Sequence, residues 1–403
     1  MDNGPCRLVG QIQHYAWGGH EFIPELLGLH PEPDTAYAEY WLGAHEKAPS
    51  KLILGESRAA HLDKFIAEYP ERALGQRIAR QYGQLPYLFK VLDVKDPLSI
   101  QVHPTRSEAE AGFQRENELD IPLDSPERNY RDSNHKPELM VALSDFWLLH
   151  GFLPKARLVD VLKRVPEFHV FRDVFESDGC AGLYRHVMTM PGEEVDALLH
   201  PLAGRVRSGA ETGGWPKSSP EHWVAKVVED GAPGQYDRGI FSIYFFNLVN
   251  LRPGQAIFQD AGIPHAYLQG QNIEVMANSD NVLRGGLTGK HVDVPELLNT
   301  VKFEGICPGV IEGTQKDNPL EAYYVAPTQD FCLSRIDLDE GDAYLNSARS
   351  LEILLLVGGR VVANSDQKHL PLSRGQSMVS FGGSRTRIQA SSETATLFRV
   401  SLP

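Results

Sequence analysis

SIQVHP, residues 99–104, places Gln101 and His103 two residues apart in an extended, strand-like segment. Successive side chains along a strand alternate in direction, so residues i and i+2 share a face. An amide oxygen and an imidazole nitrogen therefore project together from a stretch that otherwise favours burial. Taken alone, the pair fits half of a metal site or a hydrogen-bonded pair at the end of a strand. Working outward, LPYLFKVLDV (85–94) and ELMVALSDFWLLHGF (138–152) also read as short apolar strands broken by polar turns. Between them SEAEAGFQRENEL (107–119) reads as a helix with Ser107 as N-cap and Glu110 placed for a capping box.

From Pro154 to about Asp230 the texture becomes helical. KARLVDVLKRVPEF (155–168) and GEEVDALLHPLAGRV (192–206) carry apolar residues at three- and four-residue intervals, and GAETGGWPKSSPEH (209–222) is a loop. Strands are expected to resume with IFSIYFFNLVNL (240–251). Gly-punctuated segments such as LRPGQAIFQDAGIPHAY (251–267), LEILLLVGGRVVA (351–363) and LSRGQSMVSFGG (372–383) then recur at spacings typical of antiparallel sandwiches and barrels. The expected architecture is mainly β. A sandwich is assembled from residues 1–153 and 231–327, a helical insertion occupies 154–230, and a smaller β domain covers 328–403.

At 403 residues the chain is too long for one compact core. The formal charge of −14 disfavours nucleic acid or an anionic membrane as a partner, so an anionic small substrate requires a local cluster of cations. The start, MDNGPCRLVG, lacks the basic and apolar regions of a signal peptide, and no apolar run approaches the roughly 20 residues that span a bilayer. Cys6, Cys180, Cys307 and Cys332 lie far apart and form no CxxC, which implies neither a zinc knuckle nor a disulfide framework. A cytoplasmic address is the resulting expectation.

Three further segments bear on the Gln101–His103 pair. NYRDSNHKPELMVAL (129–143) sets Glu138 at the start of a strand behind the rigid Pro137, and GIPHAY (262–267) sets His265 in a Gly/Pro turn entering another strand. Gln101, His103, Glu138 and His265 together offer two imidazoles, one carboxylate and one neutral amide oxygen. That donor set suits zinc with a position left for water or substrate, and leaves a divalent ion a net charge of plus one. Spacing alone balances this reading against a set of ordinary capping and loop residues.

SIQVHP, YRDSNHKPE (130–138) and GIPHAYLQGQNIEVMANSDNVLRGGLTGKHVDV (262–294) resemble the signature set of the type I mannose-6-phosphate isomerases, the zinc-dependent phosphomannose isomerases of the cupin superfamily. QHYAWGG (13–19), AEYWLGAHEKAPS (38–50), LPYLFKVLD (85–93) and the weakly cupin-like C-terminal part extend the likeness over nearly the whole chain. Glu46 stands where the family often has proline, and His150 where it often has cysteine; neither is expected to touch the ligands. The resemblance implies cupin-type antiparallel β-sandwich or barrel domains with an inserted α-helical domain. It also implies one zinc ion per chain on Gln101, His103, Glu138 and His265. The implied activity is interconversion of D-mannose 6-phosphate and D-fructose 6-phosphate through a cis-enediol, a step shared by mannose use and GDP-mannose supply. A small-molecule sugar phosphate is the implied partner, with no obligate protein partner evident.

Proton transfer next to a sugar carbonyl needs a base within reach and stabilisation of the developing oxyanion. Lys136, beside the expected ligand Glu138, and Glu274, a carboxylate in the apolar NIEVM (272–276), are the candidate bases; Asp280 and His135 are candidates for ring opening. LRGGLTGK (283–290) offers Arg284, which also counts as a catalytic candidate, and Lys290 around a Gly-rich turn whose amides are expected to face the phosphate. It is not a P-loop, because Gly289–Lys290 is followed by His291. Lys90, in LFKVL (88–92), is the remaining cation expected to reach the pocket. Two other classes of function use the same fold. A cupin oxygenase would hold iron on a His-rich site; Gln101 and the cation cluster argue against it. A non-catalytic sugar-phosphate sensor would be expected to lack a ligand or Lys136.

Overall fold

The computed structural model describes residues 4–55, 58–229, 235–366 and 368–403. Among these, the strands form sheets of ten, nine and four strands whose neighbours run antiparallel. The ten-stranded sheet carries the segments singled out above. Its central path runs Phe246–Leu251, Phe146–Phe152, His265–Ala277, Tyr87–Val94, Glu39–Gly43 and Gln11–Gln13. Tyr87–Val94 is buried along its whole length, which explains why it reads as a continuous apolar run instead of alternating.

His265–Ala277 joins the two walls of this barrel-like sheet. Its first residues pair with Gln101 and with Phe146–Phe152, and its second half pairs with Tyr87–Val94 and Glu138–Ala142. The change of partner falls at Gly270, whose φ of 128° and approach to Phe146 leave no room for a side chain.

Two local expectations are corrected. The helix after SIQVHP spans Arg106–Glu118 and is capped by Thr105, with Glu108 closing the capping box, in place of Ser107 and Glu110. Both Thr105-x-x-Glu108 and Ser107-x-x-Glu110 satisfy the pattern; the helix begins at the earlier one. The second correction concerns IFSIYFFNLVNL, whose first part is the helix Gly239–Phe245, with the strand beginning only at Phe246. All seven helical residues are buried, and a run that is apolar on every side carries no period to separate a helix from a strand.

The helices between Lys155 and Glu229 share a core with Gly239–Phe245 that includes Phe168, Phe171, Phe241 and Phe245. This core docks on the sheet through Phe152, which meets Phe246 and Tyr184 edge-on at 4.8 and 5.2 Å between ring centres. The boundary expected at 230/231 lies outside the described residues. In the C-terminal part, Cys332–Asp339, Glu352–Gly358, Ser377–Ser380 and Thr394–Ser401 build the nine-stranded sheet, into which the N-terminal strand Cys6–Val9 is paired beside Ser377–Ser380. Strands from both sides of the 327/328 boundary therefore share one sheet.

Candidate functional site

A cavity of about 670 Å³ opens over the ten-stranded sheet, lined by Gln101, Glu138 and His265 together with Lys90, Lys136, Glu274, Asp280, Arg284 and Lys290. Behind it, His103, Glu138 and His265 bring one ligand atom each within 4.8 Å of one another. Each comes from the end of a strand or the turn beside it, where the backbone is fixed by pairing. Gln101 pairs across the sheet with His265 on one side and with Arg284 on the other.

Tautomer and spacing both suit a metal. The Nδ1 atoms of His103 and His265 lie 3.1 and 3.0 Å from the carbonyls of Asn281 and Ile263, so each ring donates there and turns an unprotonated Nε2 inward. His103 Nε2 is fully buried and lacks a hydrogen-bond partner. The inward Nε2 atoms stand 3.3 and 3.5 Å from the two Glu138 oxygens. Ligands at about 2.0–2.2 Å from a tetrahedral ion are separated by about 3.3–3.6 Å, and both nitrogen–oxygen separations fall in that range, so the donor set suits a zinc ion. Burial pushes the His103 imidazole down to about 4. Burial alone would raise the Glu138 carboxyl, but its neighbours, Lys136 foremost, outweigh it and hold it well below the usual carboxylate range.

Beside the triad is a second buried charge cluster. Lys136 Nζ lies 2.9 Å from Glu138 Oε1, and Lys90 Nζ lies 3.1 Å from Glu274 Oε1 and 3.7 Å from Glu39 Oε2. Tyr267 donates its hydroxyl to the other Glu274 oxygen at 2.8 Å, and Trp41 donates its indole N–H to Glu39. Burial pushes the Glu274 carboxyl up, partly offset by Lys90. Lys90 reaches the cavity as expected, but as the partner of two carboxylates and not as a free cation.

The free cations are Arg131, Arg284 and Lys290. All three line the cavity, and no carboxylate among the described residues pairs with any of them. Burial lowers the Arg284 guanidinium and the Lys290 ammonium, and repulsion from Arg131 lowers both further. An anion is what such a cluster lacks. Three amides of the Gly-rich turn are not offered to that anion: Gly285 donates to the Ile100 carbonyl, and Leu287 and Thr288 donate to Asp237.

Asp280 sits on the cavity wall between Lys47 at 2.5 Å and His45 at 3.5 Å, which together hold its carboxyl far below the ordinary value against the effect of burial. His135 is a correction. Its Nε2 lies 2.8 Å from Asp330, and it does not line the cavity. Adjacent side chains on an extended segment point apart, so a backbone that aims Lys136 inward turns His135 away. His150 also departs from expectation: it pairs directly across the sheet with His265, and burial presses its imidazole down to about 4.

The family model for the phosphomannose isomerase type I catalytic domain matches residues 6–155. The mannose-6-phosphate isomerase of Salmonella typhimurium is 37% identical over 399 residues, 98% of each chain. The chain belongs to the type I mannose-6-phosphate isomerase family. The human member is 32% identical over 396 residues, 90% of each chain. A structure of the Salmonella typhimurium enzyme bound to its substrate fructose 6-phosphate and a zinc atom superimposes with a TM-score of 0.88 at 35% identity, covering 99% of each chain. The fold is accordingly the cupin fold of this family.

Family motifs also contained residues that the sequence reading did not single out. Arg131 lies in YRDSNHKPE, and Glu39, His45 and Lys47 lie in AEYWLGAHEKAPS. The signal was the motif itself; nothing in the local pattern separates these side chains from ordinary loop polarity. Tyr267, two residues after His265 and on the same strand face, was accessible from the period of two.

Proposed function

We propose that the chain is a zinc-dependent aldose–ketose isomerase that interconverts D-mannose 6-phosphate and D-fructose 6-phosphate, with one zinc ion on His103, Glu138, His265 and Gln101. The observation that carries this reading is the placement, at one cavity, of a preorganised nitrogen/oxygen triad beside three cations with no paired carboxylate among the described residues. When bound, the ion supplies Lewis-acid polarisation of the sugar oxygens. Arg284, Lys290 and Arg131 hold the phosphate. Asp280, fixed by Lys47 and His45, exchanges a proton with the ring and anomeric oxygens as the sugar opens. Once it has given up its own proton, the Lys136 amine takes the C2 proton and returns it at C1, while the O2 hydroxyl proton passes to O1 by way of the cis-enediol. Glu274, clamped by Lys90 and Tyr267, orients the sugar hydroxyls along the cavity floor.

The partner in this reading is a small-molecule sugar phosphate, without nucleic acid, membrane or obligate protein partner, in the cytoplasm. The four free cysteines suit a reducing compartment, and no helix among the described residues is long and apolar enough to cross a membrane. The test is a coupled assay for fructose 6-phosphate formed from mannose 6-phosphate. Turnover is expected to disappear on chelation and return with zinc. Binding of mannose 6-phosphate without turnover in zinc-replete protein would instead identify a sensor.

A further inference from the structure

The turn that carries Arg284 and Lys290 is fixed from behind by a residue outside the cavity. Its first part is tied to the backbone next to Gln101: Gly285 N donates to Ile100 O at 2.9 Å, and Ile100 N donates to Gly286 O at 3.0 Å. Its second part turns through Gly286 at φ 117° and Leu287 at φ 54°, the latter a conformation that a leucine rarely adopts. A Cβ at Gly286 would fall 2.6 Å from the amide nitrogen of Gly239, and one at Gly239 would fall 2.6 Å from the amide nitrogen of Leu287. The turn and the start of the Gly239–Phe245 helix are therefore in direct backbone contact.

Asp237 closes this contact. Its Oδ1 accepts from Gly239 N at 2.6 Å and Leu287 N at 2.7 Å, and its Oδ2 accepts from Thr288 N at 3.1 Å. Consecutive amides in a left-handed turn form a cradle for an anion, and here the cradle is filled by the protein's own carboxylate. Thr288 then accepts from Lys290 N through its Oγ1 at 3.1 Å. Asp237 does not itself line the cavity. Its charge satisfies the amides and keeps Leu287 in its unfavourable conformation, leaving the side chains of Arg284 and Lys290 to meet the anion.

We infer that Asp237 is a positioning residue for phosphate recognition, setting the Gly286–Thr288 turn so that Arg284 and Lys290 converge on the substrate phosphate. The inference deepens the proposed function and rests on its assignment of Arg284 and Lys290. It makes the segment after the helical insertion part of the phosphate site, through a carboxylate that never touches the phosphate.

The test is Asp237→Asn in the full-length zinc-loaded enzyme. This change keeps the shape but turns an N–H donor toward one of the donating amides. KM for mannose 6-phosphate and the inhibition constant of inorganic phosphate are expected to rise about tenfold together, the factor expected for one charge-assisted hydrogen bond. Zinc content is expected to hold, and kcat to stay within about twofold. Arg284→Ala serves as the control and should weaken phosphate inhibition by at least as much. In the double variant, the Arg284 loss should be smaller than in the parent, because the arginine is already misplaced. Asp237→Ser, which retains a single acceptor, should fall between parent and Asp237→Asn. Unchanged phosphate inhibition in Asp237→Asn, with Arg284→Ala impaired, overturns the inference and leaves the phosphate assignment standing. Unchanged inhibition in Arg284→Ala overturns the assignment and the inference with it. Parallel loss of zinc and folding in both Asp237 variants, or strictly additive losses in the double variant, would reduce Asp237 to a structural residue.

Discussion

Replacing Lys90 with methionine tests the buried charge cluster most directly. Lys90 is 7% exposed, and its ammonium lies 3.1 Å from Glu274, 3.7 Å from Glu39 and 5.2 Å from the centre of the Trp41 ring. Methionine fills similar space and removes only the charge. At an effective dielectric constant of about 20, each carboxylate attracts the ammonium by about 4–5 kcal/mol, offset in the native protein by the cost of burying all three charges. Deleting one member of such a group leaves its partners buried and uncompensated, for a net destabilisation of about 3–5 kcal/mol near pH 8. The sign of the pH dependence follows from Glu274. Burial already raises its carboxyl, and Lys90 is the group that opposes the rise most strongly. Without Lys90 the folded-state value climbs further, so the penalty is full above that value and shrinks as pH falls through it. Urea unfolding followed by tryptophan fluorescence at pH 8 and pH 5.5 reads both effects. A loss below about 1 kcal/mol at pH 8 that does not change at pH 5.5 would show that Lys90 is not the counter-charge of these carboxylates.

The metal assignment predicts that His103→Ala and His265→Ala each lose zinc and turnover together, as read by metal analysis and the coupled assay; full zinc occupancy in either variant would contradict it. The proton-transfer assignment predicts that Lys136→Met keeps zinc and fold but stops exchange of the substrate C2 proton with solvent. If Lys136→Met still exchanges near the parent rate while Glu274→Gln does not, the base is Glu274, and Lys136 holds the sugar oxygens instead.

The legible parts of the site share a physical property. His103, Glu138 and His265 lie at strand ends or next to proline, where a side chain's direction follows from a period of two and a fixed φ. The same rule, applied to neighbours, would have separated inward Lys136 from outward His135. Arg131 and His45 were not legible as individuals because loop residues carry no period, and their directions are set by contacts with Asn281 and Asp280, about 150 and 235 residues away in sequence. The Gly239–Phe245 helix was read as strand because uniform burial erases the pattern. Asp237 was invisible for a further reason: its partners Leu287 and Thr288 are backbone amides, which every sequence supplies.

The charges of the cavity fall into two sets, and the division bears on how the phosphate contributes to the reaction. In the first set, Lys90 and Lys136 are matched by Glu39, Glu138 and Glu274 at 2.9–3.7 Å, so the substrate finds a network already satisfied. In the second, Arg131, Arg284 and Lys290 repel one another, with no carboxylate among the described residues paired to them. A chain with a formal charge of −14 could have supplied such a carboxylate, but Asp237, beside the turn that carries Arg284 and Lys290, binds backbone amides instead. In the proposed function this repulsion is relieved by a dianionic phosphate, which would place a large share of the binding free energy in a group remote from C1 and C2. Binding energy from a remote group can hold the reacting carbons against Lys136 and the ligand triad without stabilising the unreacted sugar there. An unphosphorylated sugar forfeits the whole of that contribution, unlike a variant that weakens one contact to a phosphate still bound, so its loss should appear in kcat as well as in KM.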